Sequence, residues 1–172
     1  MQILFACLSH PLIGITEPRG FQLLYFEESP VSYGNVAVAA AIMCKNDNLN
    51  PCEAWVLAAQ DAFPTSPSSQ KKGCPRGAFL GLCSKGMVRD VSKGNYTRSV
   101  LNSGYAVKAV QILQALDGQV LDRNRLWDAV MAETEKQIRH NCQMDVVLAL
   151  WAEGLIEPSS PALCSTHKPD RA

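Results

Sequence analysis

At 172 residues, with 47% apolar and 19% charged side chains, the chain is sized for one globular domain and composed too apolar to be a disordered polymer. Sixteen Lys and Arg offset sixteen Asp and Glu. That balance excludes a uniformly basic nucleic-acid binder and leaves local charge clustering as the electrostatic signal to follow.

No run approaches the ~20 apolar residues needed to cross a bilayer, so a cytoplasmic protein with no membrane partner is expected. The opening "MQILFACLSHPLIGI" lacks the basic start and the clean apolar run of a secretory signal. Pro11, Pro18 and Pro30 punctuate the first 31 residues, which show neither a sustained helical period nor strand alternation. They read as a poorly structured extension, and the change of character at Val31 suggests translation starting there. Regular signals occupy residues 32–157, and the Pro- and Ser-rich stretch 158–172 reads as a disordered tail. Seven widely spaced cysteines, with no C-x-x-C among them, point to free thiols in a reducing compartment.

The predicted fold is all-α, a compact bundle of about six helices. Ser32 caps the first, "YGNVAVAAAIMCK", whose apolar face is Val36, Ala40, Met43 and Cys44. Asn50 caps the second; Pro51 stands at its first position and Glu53 where a capping box places its carboxylate. "PTSPSS", 64–69, has the composition of a loop. A third helix starts near Cys74 or Pro75 and stops at Gly86, a residue suited to the left-handed C′ position. Residues 87–100 form either a short hairpin around Lys93-Gly94-Asn95 or an irregular loop. The fourth helix, "NSGYAVKAVQILQAL", is stopped by Gly118. The fifth is capped by Asp122 and predicted to run through Ile138 to Asn141. Asn141 then caps the last, whose stretch from Val146 to Trp151 is apolar all round and so should be the central helix.

The segments "SSQKKGCPRGAFLGLC", "GNYTRS" with "YAVKAVQIL", and "HNCQMDVVLALW" resemble an uncharacterised family of small bacterial all-helical proteins over roughly Tyr33 to Ile156. The resemblance implies a fold and brings no catalytic residues, cofactor or partner.

Between Lys71 and Arg98 stand Lys71, Lys72, Arg76, Lys85, Arg89, Lys93 and Arg98 against a single acid, Asp90: seven cations less one anion leave +6 in a neutral chain. A helix start offers free N–H groups and about half a positive charge. Gly73 admits close approach of an anion, Arg76 can fork onto phosphate oxygens, and Lys71 and Lys72 add mobile charge. Lys71, Lys72, Gly73, Arg76, Arg89, Lys93 and Arg98 are therefore the candidate contacts of a non-enzymatic binder of nucleic acid, another polyanion or a phosphorylated ligand. The spacing is not that of a P-loop. In the plainer alternative the charges are a solvated rim and Arg76 pairs with Asp145.

Two other classes stay open. A protein–protein adaptor or homodimer would bury an apolar helix face against its partner. A small enzyme would use Cys74, at a helix start, as nucleophile with His140 as base; a small buried thiol is the simpler account. Cys74, Cys83, His140 and Cys142 have no standard zinc spacing, so neither metal nor cofactor is expected. Trp55, Trp127 and Trp151 read as core anchors.

Overall fold

The computed structural model describes residues 31–116, 119, 121–132, 134 and 138–158. They form an all-α bundle: α1 (Tyr33–Asp47), α2 (Pro51–Ala62), the single turn α3 (Pro67–Gln70), α4 (Gly73–Lys85), α5 (Val100–Ala115), α6 (Arg123–Met131) and α7 (Gln143–Ala152). The extension before Val31, the tail from 159, Gly118, Glu133 and Glu135 lie outside the described residues.

Three helix starts follow directly from their cap residues. The Ser32 hydroxyl accepts from the Asn35 N–H at 3.2 Å, and the Asn50 side chain accepts from the Cys52 N–H at 2.9 Å with Pro51 at the first position. One Asp122 carboxylate oxygen accepts from both Asn124 and Arg125 N–H groups. Each satisfies donors that the helix itself leaves open. Gly86 ends α4 at φ 69°, where a Cβ would be strained.

α7 packs against α1, α4, α5 and α6. Its Met144, Val146, Val147 and Leu150 are buried, while Leu148 and Trp151 only partly are, so one flank of this apolar helix remains near the surface. Trp55 stacks obliquely on Phe79 with centroids 5.4 Å apart, and Tyr105 meets Trp127 edge-on at 5.3 Å. Burying a side chain as large as Trp55 contributes about 5 kcal/mol. Cys44 and Cys83 lie in the same core as free thiols. Burial pushes the Cys44 thiol up to about 11 and raises the Cys83 thiol further.

α4 and α5 run in the same direction. A Cβ on Gly77 would touch Ser99 and Asn102, and one on Gly81 would press into Ser103, so position advances along both helices together. This requires residues 86–99 to return the chain along α4 from Gly86 to about Gly77. The return segment is an irregular loop, pinned by the isolated Val88–Ile156 bridge and the Arg89 N–H to Leu155 carbonyl bond of 2.8 Å.

Several local expectations are corrected. Residues 67–70 of the supposed loop form α3. The fifth helix ends at Met131 instead of reaching Asn141. The exposed Ile138 is not on its apolar face; its carbonyl accepts from Trp127 Nε1 at 2.9 Å. Cys142, left-handed at φ 66°, precedes α7 in place of Asn141.

Candidate anion site at three helix starts

α3 sets the lead-in to α4. The Tyr33 hydroxyl donates to the Ser69 carbonyl at 3.0 Å, and the Lys72 N–H donates to the same carbonyl at 3.2 Å. Lys72 then stands at the N-cap position of α4 with extended backbone and no side-chain cap. Its ammonium lies 5.1 Å from the Tyr33 ring centroid and donates to Cys142 Sγ at 3.4 Å, so this lysine is held by cation–π attraction and a sulfur contact rather than by a carboxylate. A Cβ on Gly73 would meet nothing within 4 Å. Packing therefore does not require glycine there, and the backbone at the helix start lies open.

Three amino ends meet at this place. Asn102 of α5, Cys74 of α4 and Asn141, just ahead of α7, all line one cavity of about 590 Å³. α4, α5 and α7 all lack a side-chain cap, whereas α1, α2 and α6 each have one. Uncapped amino ends carry partial positive charge and unpaired N–H donors; here the start of α4 lines the wall, with Ser99 and Asn102 from the start of α5 and Asn141 from the segment ahead of α7 beside it. Lys71, Lys72, Arg76 and Arg98 line the same cavity, and no Asp or Glu does. Arg76 Nε is buried and has no hydrogen-bond partner.

The cavity floor is pre-ordered by a buried amide. Gln143, 2% exposed, is the one buried polar side chain among the described residues. Its Oε1 accepts from the Asn141 N–H, and its Nε2 donates to Asn102 Oδ1 at 3.0 Å. Asn102 Nδ2 in turn donates to Ser99 Oγ at 2.9 Å. One side chain from α7 thereby fixes polar groups at the starts of α5 and α7, a satisfied network of the kind that holds a site in one geometry.

Of the sequence candidates, Lys71, Lys72, Gly73, Arg76 and Arg98 are brought together here. Arg89 and Lys93 are not. Lys93 packs on Gly86 at the far end of α4, which at 1.5 Å per residue is about 20 Å from Lys72, and Arg89 is tied through its backbone to Leu155. Arg76 does not pair with Asp145; Arg123 does, at 3.0 Å. Cys74 lines the cavity and accepts a weak hydrogen bond from Asn141 Nδ2 at 3.5 Å. No hydrogen bond joins it to His140, whose ring stands 6.1 Å from Trp127 and whose Nδ1 is buried without a partner. Cys83 is sealed in the core, and the described residues contain no metal-binding group of three or more His, Cys, Asp or Glu.

Tyr96 and Thr97, which the sequence offers as further loop contacts, line the cavity too, as do Ser99, Asn102 and Asn141, which the sequence did not single out as contacts. The available signal was Gln143, an amide at the edge of the most apolar helix, whose partners only the packing reveals.

The model of a family of unknown function (DUF6979) matches residues 31–157. No curated protein and no solved structure matches the chain. No helix among the described residues is long and apolar enough to cross a membrane.

Proposed function

The chain belongs to that family of unknown function, which brings no activity with it, and we propose from the geometry that the protein is a non-enzymatic binder of phosphate-bearing polyanions. A phosphate group seats at the amino end of α4, beside Asn102 and Asn141. The observation that supports this is the coincidence of the uncapped start of α4 with four cationic side chains in one cavity whose lining holds no carboxylate.

Each group has a role. Backbone N–H groups at Gly73 and Cys74 supply short, directional donors; Pro75, third in the helix, has no N–H to offer. Arg76, which lines the cavity, gains a charge-assisted bond from its guanidinium to a phosphate oxygen, and such bonds contribute about 1.5–3 kcal/mol each. Lys71, Lys72 and Arg98 neutralise the remaining charge.

The test is calorimetric titration of the full chain with inorganic pyrophosphate at low ionic strength. Binding should weaken steeply as salt rises. Arg76→Ala should lose about ten-fold or more in affinity, and Lys71→Ala/Lys72→Ala a comparable amount, while Arg89→Ala and Lys93→Ala leave it unchanged. No binding at low salt, or equal losses from all five positions, would refute the assignment.

A second reading has one specific observation behind it. Val56 and Leu57 are 42% and 46% exposed on α2 and border an apolar cleft of about 510 Å³ with Leu49 and Cys52, a surface suited to a protein partner. Concentration-dependent mass in sedimentation that Leu57→Asp abolishes would favour a homodimer through this face.

A further inference from the structure

A second cavity, of about 470 Å³, adjoins the first, with Thr97 and Ser99 in the wall of both. It follows the α4–α5 seam away from the helix starts, past Ser103 and Ser84 to Lys85. Like the first, it has no Asp or Glu in its lining. Lys93, packed on Gly86, stands at that same far end beside Gly94 and Asn95, which line the cavity. Cations thus stand near both ends of α4, about 20 Å apart. Val100, which lines the second cavity, and its neighbour Leu101 are the two most exposed large apolar side chains of the described residues, at 81% and 68%.

We propose that the polyanion is a single-stranded nucleic acid laid along the α4–α5 seam, with one phosphate at the start of α4, another near Lys85 and Lys93, and unstacked bases against Val100 and Leu101. This rests on the phosphate site above and extends it to a partner and a direction.

The length of the track is the first reason. A single phosphate or small phosphorylated metabolite would be satisfied by Lys71, Lys72, Arg76 and Arg98, leaving Lys85 and Lys93 without a role at the distant end. A regularly charged strand uses both. Concavity is the second: backbone donors at Gly73 and Cys74 are reached by a phosphate that enters the cavity, which a flexible strand delivers and a stiff duplex cylinder does not. The exposed apolar pair is the third, because single strands offer base faces to side chains whereas a duplex keeps them stacked inside. Lys85 also offsets the negative carboxyl end of α4, which would otherwise repel a phosphate there.

Fluorescence anisotropy with labelled oligothymidylates of increasing length, their duplexes, and pyrophosphate as competitor tests this on the full chain. Affinity should rise with length to about four nucleotides or more, and the single strand should bind at least about ten-fold tighter than the duplex if base contacts matter. Lys85→Ala should lower the salt slope by about 0.7, the contribution of one phosphate on a single strand, and Leu101→Ser should weaken strand binding several-fold. Neither exposed substitution should alter pyrophosphate binding or helical content. Equal affinity for duplex and strand, or strand affinity indifferent to both substitutions while pyrophosphate still binds, overturns the track and leaves the phosphate site standing. Failure of pyrophosphate itself to bind removes the phosphate site and the track together.

Discussion

Replacing Gly81 by alanine isolates the close helix approach that creates the α4–α5 seam. A Cβ there would lie 2.5 Å from both Ser103 Cβ and Oγ and 2.6 Å from its Cα. Because the last of these is backbone, a rotamer change of Ser103 cannot relieve the contact. The two helices must part by about 1 Å to restore ordinary van der Waals distance, and overpacking of this sort costs about 2–3 kcal/mol. Alanine's better helix propensity returns about 1 kcal/mol, so the net loss is about 1–2 kcal/mol. For a domain of this size that lowers the midpoint of thermal unfolding by about 4–8 °C. Gly104→Ala is the matched comparison: it lies within α5, and a Cβ there would meet nothing within 4 Å. It should raise stability by about 0.5–1 kcal/mol. Circular dichroism melts of the two variants give opposite signs on this account. If Gly81→Ala melts at or above the parent, the helices are not in the contact described, and the seam is not held by glycine.

Gln143→Leu should cost about 2–4 kcal/mol in chemical denaturation, because it leaves the Asn141 N–H and Asn102 Oδ1 without partners, and it should also weaken pyrophosphate binding; unchanged affinity in the folded variant would disconnect the network from the site. The hydrogen bonds from Arg125 and Asn124 N–H groups hold the Asp122 carboxyl below its ordinary range. Since the folded value lies below the unfolded one, that stabilisation is full above the unfolded pKa and is lost as pH falls through the folded one. The difference in denaturation midpoint between the parent and Asp122→Ala should therefore shrink on acidification, and a pH-independent difference would contradict it. Burial raises the Cys44 and Cys83 thiols, so the unfolded state ionises first and their contribution to stability declines as pH rises through the ordinary thiol range. Native-state alkylation followed by peptide mapping should modify the partly exposed Cys52, Cys74 and Cys142 well before either; rapid labelling of Cys83 would be inconsistent with the core.

How much could be read from the chain alone depended on how local each signal was. Ser32, Asn50 and Asp122 announce helix starts because the capping oxygen and the amides it serves lie within three residues. Gly86 announces a stop for an equally local reason, its freedom at positive φ. The apolar stripes identify the core because burial follows helical period. Signals failed where the deciding partner was distant. The fifth helix was read past Met131 because 133–140 has helix-compatible composition, whereas Trp127 takes the Ile138 carbonyl in a non-helical arrangement.

The candidate site divides along the same line. Lys71, Lys72, Gly73 and Arg76 were visible as a cluster because they are consecutive or one helical turn apart. Their linear continuation to Arg89 and Lys93 does not reach the same cavity, since the intervening helix separates its two ends by its own length. The chain by itself determined that there are six substantial helices, where most of them begin, and which faces turn inward, all from interactions spanning a few residues. Only the tertiary structure decided that the start of α4, Ser99 and Asn102 at the start of α5, and Asn141 ahead of α7 share one cavity. Helix direction at a packing interface is chosen by contacts such as Gly81 against Ser103 and Gln143 against Asn102, between residues tens of positions apart whose pairing no local pattern records.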